Sequence, residues 1–175
     1  MVLLTGCMGN NRALDSMMEL RADLLSGNCS FHAEVTADYG EKLHTFGMFC
    51  EGDSQGNLGF SVTSPDSIAE IEGTITAKEG KLTFDDTVLS FPLLADDQVS
   101  PVSAPYLLLK TLRGGYVRSA GEEDGLVRVT VDDSYEEDAL QLDIWLDGEN
   151  LPLRAEVVYD GRRILSMNIT DFRIS

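Results

Sequence analysis

Residues 29–38 read Cys29-Ser30-Phe31-His32-Ala33-Glu34-Val35-Thr36-Ala37-Asp38, and their alternation decides the fold. Cys29, Phe31, Ala33, Val35 and Ala37 fall on one side; the polar residues between them fall on the other. That is the period of two of a strand with one buried and one wet face. Tyr39-Gly40 predicts a tight turn, and Phe46, Met48 and Cys50 share a parity on the return strand. A two-residue loop there sets Ala33 opposite Phe46, Phe31 opposite Met48 and Cys29 opposite Cys50. Directly opposed α-carbons lie about 4.5 to 5.5 Å apart, within disulfide range. In an exported protein Cys29 and Cys50 are then expected to cross-link; a one-residue slip in register leaves them as two buried free thiols.

The same pattern runs outward along the chain. Leu58, Phe60 and Val62 alternate with Gly59, Ser61 and Thr63, and Ser64-Pro65-Asp66 closes the strand. Ile71, Gly73, Ile75 and Ala77 lead to a turn at Glu79-Gly80, from which Leu82 and Phe84 return on the same face. Residues 88–91 form a further short strand before a polar, proline-bearing stretch opens at Pro92. The last third predicts strands over 116–119, 126–131, 139–146, 153–159 and 163–172, divided by Asp124-Gly125, Asp147-Gly148 and Asp160-Gly161. Trp145 has the parity opposite to Leu140, Leu142, Ile144 and Leu146, which turns it towards solvent or towards a helix, and packing against a helix is the expected of the two.

Two helices interrupt the strands. Leu14, Met17, Met18, Leu24 and Leu25 recur at helical spacing among charged residues, and Ser26-Gly27-Asn28 ends that run. Ser103 is placed as the N-cap of a second helix, with Pro105 in its first turn, an apolar stripe from Tyr106 to Leu112, and Gly114-Gly115 at its end. So short and apolar a helix must lie against the sheet.

At the N-terminus Leu4-Thr5-Gly6-Cys7 matches the bacterial lipobox, in which small residues precede a cysteine that is diacylated and becomes the first mature residue. Each methylene of such a lipid contributes about 0.8 kcal/mol on burial, so several acyl chains give a durable anchor. Only Val2 to Leu4 stand where a full apolar region belongs, and no basic residue precedes them. Residues 1–11 are therefore read as lipobox and tether and 12–175 as one domain. The expected location is the cell envelope, lipid-anchored through Cys7 on the extracytoplasmic face of the membrane.

With 175 residues, 43% of them hydrophobic, the chain suffices for one core. Thirty acidic residues against 13 Lys plus Arg give a formal net charge of -17, which disfavours a nucleic-acid partner. Neither a phosphate-binding glycine loop nor a nucleophile elbow occurs. His32 and His44 are read as facing away from the core and not adjacent, and the acidic pairs Asp85-Asp86, Asp96-Asp97 and Asp132-Asp133 fall in turns without the spacing of a calcium loop. No catalytic residue, cofactor or metal site is expected, and the chain is read as a non-enzyme.

A lipobox, an amphipathic N-terminal helix, a run of antiparallel hairpins, a helix entered through a Pro-bearing segment and a closing set of long strands resemble the LolA/LolB-like fold of the bacterial lipoprotein-localisation factors. The expected class is α+β and mainly β: a strongly curved antiparallel half-barrel with the N-terminal and mid-chain helices packed on it. The resemblance implies an apolar cavity that receives lipid acyl chains, lined by Phe31, Phe46, Met48, Leu58, Phe60, Val62, Ile75, Phe84, Ile144 and Leu146. Alternating apolar residues serve a filled core equally well. Two functions follow: a lipid or other hydrophobic ligand held in the half-barrel, or a solid envelope protein that docks a partner.

Overall fold

The computed structural model describes residues 8–38, 40, 42–85, 87–91, 94–95, 98–136 and 139–175. The lipobox with Cys7 lies outside the described residues. Helix α1 spans Met8–Ser26, followed by β1 (Cys29–Asp38), β2 (Leu43–Gly52), β3 (Leu58–Ser64), β4 (Glu72–Ile75), β5 (Gly80–Phe84) and β6 (Thr87–Phe91). Two short strands, β7 (Leu94–Ala95) and β8 (Gln98–Val99), precede α2 (Ala104–Gly114). The chain closes with β9 (Tyr116–Glu123), β10 (Leu126–Asp132), β11 (Gln141–Leu146), β12 (Pro152–Tyr159) and β13 (Arg162–Ile174). Eleven strands form one sheet in the order β6-β5-β4-β3-β2-β1-β13-β12-β11-β10-β9, and each described pairing is antiparallel.

The order follows from hairpins. β1 to β6 is a meander, β9 to β13 is another, and the long strand β13 joins them by pairing with β1. Tight turns permit this: Asp124 and Gly125 have φ of 52° and 81°, and Asp160 and Gly161 have 48° and 71°. Two successive left-handed residues are what a hairpin turn needs to match the strand twist. The sheet curves into an open half-barrel with both helices on one face.

A single apolar core fills the concave side. It takes Phe31, Ala33, Val35, Met48 and Leu58 from one half of the sheet, Val129, Leu142, Ile144, Val157 and Met167 from the other, and Met17, Leu24, Leu108 and Leu112 from the helices. Phe31 stacks on Phe172, with ring centroids 5.0 Å apart. Each large side chain buried in this way contributes about 1.5–3 kcal/mol. α1 packs against α2, β9 and β10.

Several sequence expectations shift. The β1–β2 loop is residues 39–42, not two residues, so the register moves by two: Cys29 faces Gly52, Phe31 faces Cys50, Ala33 faces Met48 and Val35 faces Phe46. The faces survive, because a two-residue shift preserves parity, but Cys29 and Cys50 are no longer opposed and both thiols are free and buried. α1 begins at Met8, so the spacer Gly9 to Asn11 is helical. Its buried side is Ala13, Met17, Leu20 and Leu24; Leu14, Met18 and Leu25 are exposed.

Trp145 does not meet a helix. It lies on the outer face of β11, where Arg128 and Arg154 cover its ring at 5.1 and 4.5 Å and its Nε1 donates to Glu123 at 2.7 Å. His32 points outward as expected, whereas His44 is paired with Ala37 and so shares the core-side parity of Phe46, at the exposed end of β2.

Candidate functional site

The bowl of the half-barrel is the candidate site, and α2 occupies its centre. From Ala104 to Leu112 every side chain of α2 except Lys110 is buried. A helix apolar on nearly every side belongs in an interior, so α2 is a plug between the sheet and α1. Ser103 makes no capping bond; Pro101–Ser103 is a 3-10 turn leading into the helix. Among the described residues the buried hydroxyls of Ser103 and Thr111 have no hydrogen-bond partner.

Two arginines fix the C-terminal end of the plug. Arg21 of α1 donates from Nε to the Leu112 carbonyl at 2.7 Å and from Nη2 to the Gly115 carbonyl at 2.8 Å. Burial lowers the pKa of this guanidinium below its ordinary value. Cations suit this place, since the last carbonyls of a helix lack intrahelical donors and carry the negative end of its dipole. Arg113 donates from Nε to the Leu24 carbonyl at 3.1 Å and from Nη2 to the Asp53 carbonyl at 2.6 Å.

Beside the N-terminal half of α2 the packing opens into an apolar cavity of about 140 Å³. Tyr106 and Leu107 of α2, Ala77, Val99 and Leu140 line it. At its edge Lys110 Nζ pairs with Asp133 Oδ2 at 3.0 Å, with the lysine about half exposed.

Of the ten residues expected to line a cavity, Phe31, Phe46, Met48, Leu58, Phe60, Val62, Ile75, Ile144 and Leu146 are buried in the filled core. Phe84 is not: it is 47% exposed at the end of β5, beside the edge strand β6. None of the ten lines the cavity beside α2. The cavity was missed from sequence; the signal that could have pointed there is Lys110, the one charge inside the run from Tyr106 to Leu112. Among the described residues no group of three or more His, Cys, Asp or Glu is placed to hold a metal ion. No helix among them is long and apolar enough to cross a membrane.

An open antiparallel half-barrel plugged by a mid-chain helix and braced by an N-terminal one is a recognisable architecture. An uncharacterised conserved protein from Thermus thermophilus superposes with a TM-score of 0.51 at 11% identity, over 93% of this chain and 88% of that one. A LolA superfamily protein from Nitrosomonas europaea superposes with a TM-score of 0.51 at 8% identity, over 97% and 94%. This chain has the LolA-like fold. No family model matches the sequence, and no curated protein does.

Proposed function

We propose that the protein is a cell-envelope lipoprotein, anchored through Cys7, that takes up an acyl chain between α2 and the concave face of the sheet. The observation that carries this reading is the apolar cavity beside the less tethered end of the plug. Cavities of about 150 Å³ with apolar walls stay dry and admit a benzene-sized group. The space of about 140 Å³ therefore suits one end of an acyl chain. Ligand pockets for larger molecules run to about 300–1,000 Å³, so a whole chain enters only if the N-terminal half of α2 swings out. The arginine bonds at its C-terminal end make a natural pivot. Both the lipobox and the LolA-like fold agree with this reading.

Native mass spectrometry of residues 8–175, purified from a bacterial host and compared before and after delipidation, tests it. A co-purifying mass in the fatty-acid or phospholipid range, lost on delipidation, supports uptake. An apoprotein that also refuses offered lipids refutes it.

A second reading rests on a different observation. β6 is a sheet edge, and Phe84, Val88 and Leu89 at that end are exposed at 47%, 60% and 60%. An apolar free edge is a template for an added strand, which fits a solid protein that docks an envelope partner. Uptake of lipid without any bound partner decides for the first reading.

A further inference from the structure

The face of the sheet turned away from the helices carries a hollow of about 520 Å³ across β2 to β6. Its volume lies within the range of small-molecule pockets. Register explains why a hollow forms. Phe49 pairs with Ser61, and Ser61 with Glu72; Glu51 pairs with Gly59, and Gly59 with Thr74. All six residues have the parity opposite to the buried Met48, Cys50, Leu58 and Phe60. Where the outward row reaches β3, Gly59 supplies no side chain, and the floor drops to the backbone.

We propose that this hollow is a second binding site, for a linear organic diamine. Glu51 on β2 and Glu72 on β4 stand on either side of β3 on a diagonal, Glu51 level with Gly59 and Glu72 level with Ser61; two strand spacings across and two residues along put their backbones about 12 Å apart. Among the described residues neither carboxylate has an ion-pair or hydrogen-bond partner. Lys81 also lines the hollow, but its ammonium is engaged with Glu79 at 3.0 Å. Phe49 adds an aromatic wall, with its ring held against His32 at 5.0 Å between centroids. An ammonium is attracted both to a carboxylate and to the face of an aromatic ring. A chain with an ammonium at each end, laid diagonally over β3 from Glu51 past Gly59 to Glu72, meets both carboxylates, and its methylenes lie on the open floor. The formal net charge of -17 draws such a dication to the protein.

The same net charge attracts any cation, so the test must separate the hollow from the field. Gly59→Leu does so: an added Cβ at Gly59 meets only the Glu51 carbonyl, at 3.8 Å, so the change fills the hollow without crowding the strand or altering charge. Backbone amide NMR shifts are followed while cadaverine is titrated into the wild type at fixed ionic strength, with 1,5-pentanediol and magnesium chloride as comparison titrants. The expected result is saturable shifts at residues 49–51, 59–61 and 72–74 with the diamine, absent with the diol and with magnesium. Glu51→Gln and Glu72→Gln each weaken binding about threefold, as loss of one exposed charge contact should, and Gly59→Leu abolishes it. Equal shifts with magnesium, equal binding of the diol, or undiminished binding by Gly59→Leu overturns the proposal.

Discussion

Arg113 Nη2 donates to the backbone carbonyl of Asp53 at 2.6 Å, which ties the last turn of α2 to the β2–β3 turn. With the bond from its Nε to the Leu24 carbonyl, one guanidinium holds α2, α1 and the sheet together. Hydrogen bonds to a charged donor contribute about 1.5–3 kcal/mol. Arg113→Met is expected to lower stability by about 2 kcal/mol in urea unfolding. Lys110→Met, which removes an ion pair with a half-exposed lysine, is expected to cost less than about 1 kcal/mol.

Asp53 makes that turn sensitive to acid. Desolvation raises its pKa, but hydrogen bonds from the Asn57 side chain, from the Asn57 and Gln55 amides, and the charge of Arg113 outweigh it and leave the carboxyl below its usual value. A carboxylate with a depressed folded pKa gives its full stabilisation above the unfolded value of about 3.9. That contribution is lost as pH falls through the folded value. Stability measured from pH 5 downward should fall less steeply in Asp53→Asn than in the wild type. The difference should be modest, because the group is partly exposed.

The two core thiols should be inert in the native state. Burial raises the pKa of Cys50, with a further contribution from neighbouring Cys29, and burial raises that of Cys29 against a smaller opposing effect of Arg113. Reactivity requires the thiolate. A maleimide at pH 7.5 should leave Cys29 and Cys50 unmodified over hours and label both within minutes in urea. Rapid native labelling, or a mass two protons lighter than the reduced chain, contradicts the free, buried pair.

Trp145 is a built-in reporter on the outer face. Its indole is 8% exposed beneath two guanidiniums, with its N–H bonded to Glu123. Emission should be blue-shifted and weakly quenched by acrylamide. Trp145→Ala should cost about 3 kcal/mol, the low end for a buried tryptophan, because its cover is charged side chains.

Alternation along a strand reports the face of each residue but not its partner across the sheet, and that division explains what was legible in the sequence. Phe31, Met48, Leu58 and Ile144 were assigned to the interior correctly, since parity is independent of register. Cys29 opposite Cys50 required the loop length, and residues 39–42 differ from the assumed two-residue turn by enough to shift the pairing while preserving every face. Phe84 failed for another reason: it shares the parity of buried Gly80 and half-buried Leu82, but it sits at the exposed end of β5 beside the edge strand β6. Trp145 was misassigned because parity places a residue outside without saying that two arginines on neighbouring strands cover it. The cavity depends on how α2 seats against Val99, Ala77 and Leu140, contacts between distant segments that no local period records.

Acyl-chain entry beside α2 is measured by the fluorescence of cis-parinaric acid titrated into residues 8–175, with Leu107→Trp as the variant that fills the cavity and circular dichroism as the check that it folds. A saturable rise in emission is expected for the wild type and absent from the folded variant; no rise in the wild type, or an equal rise in both, overturns acyl-chain uptake beside α2.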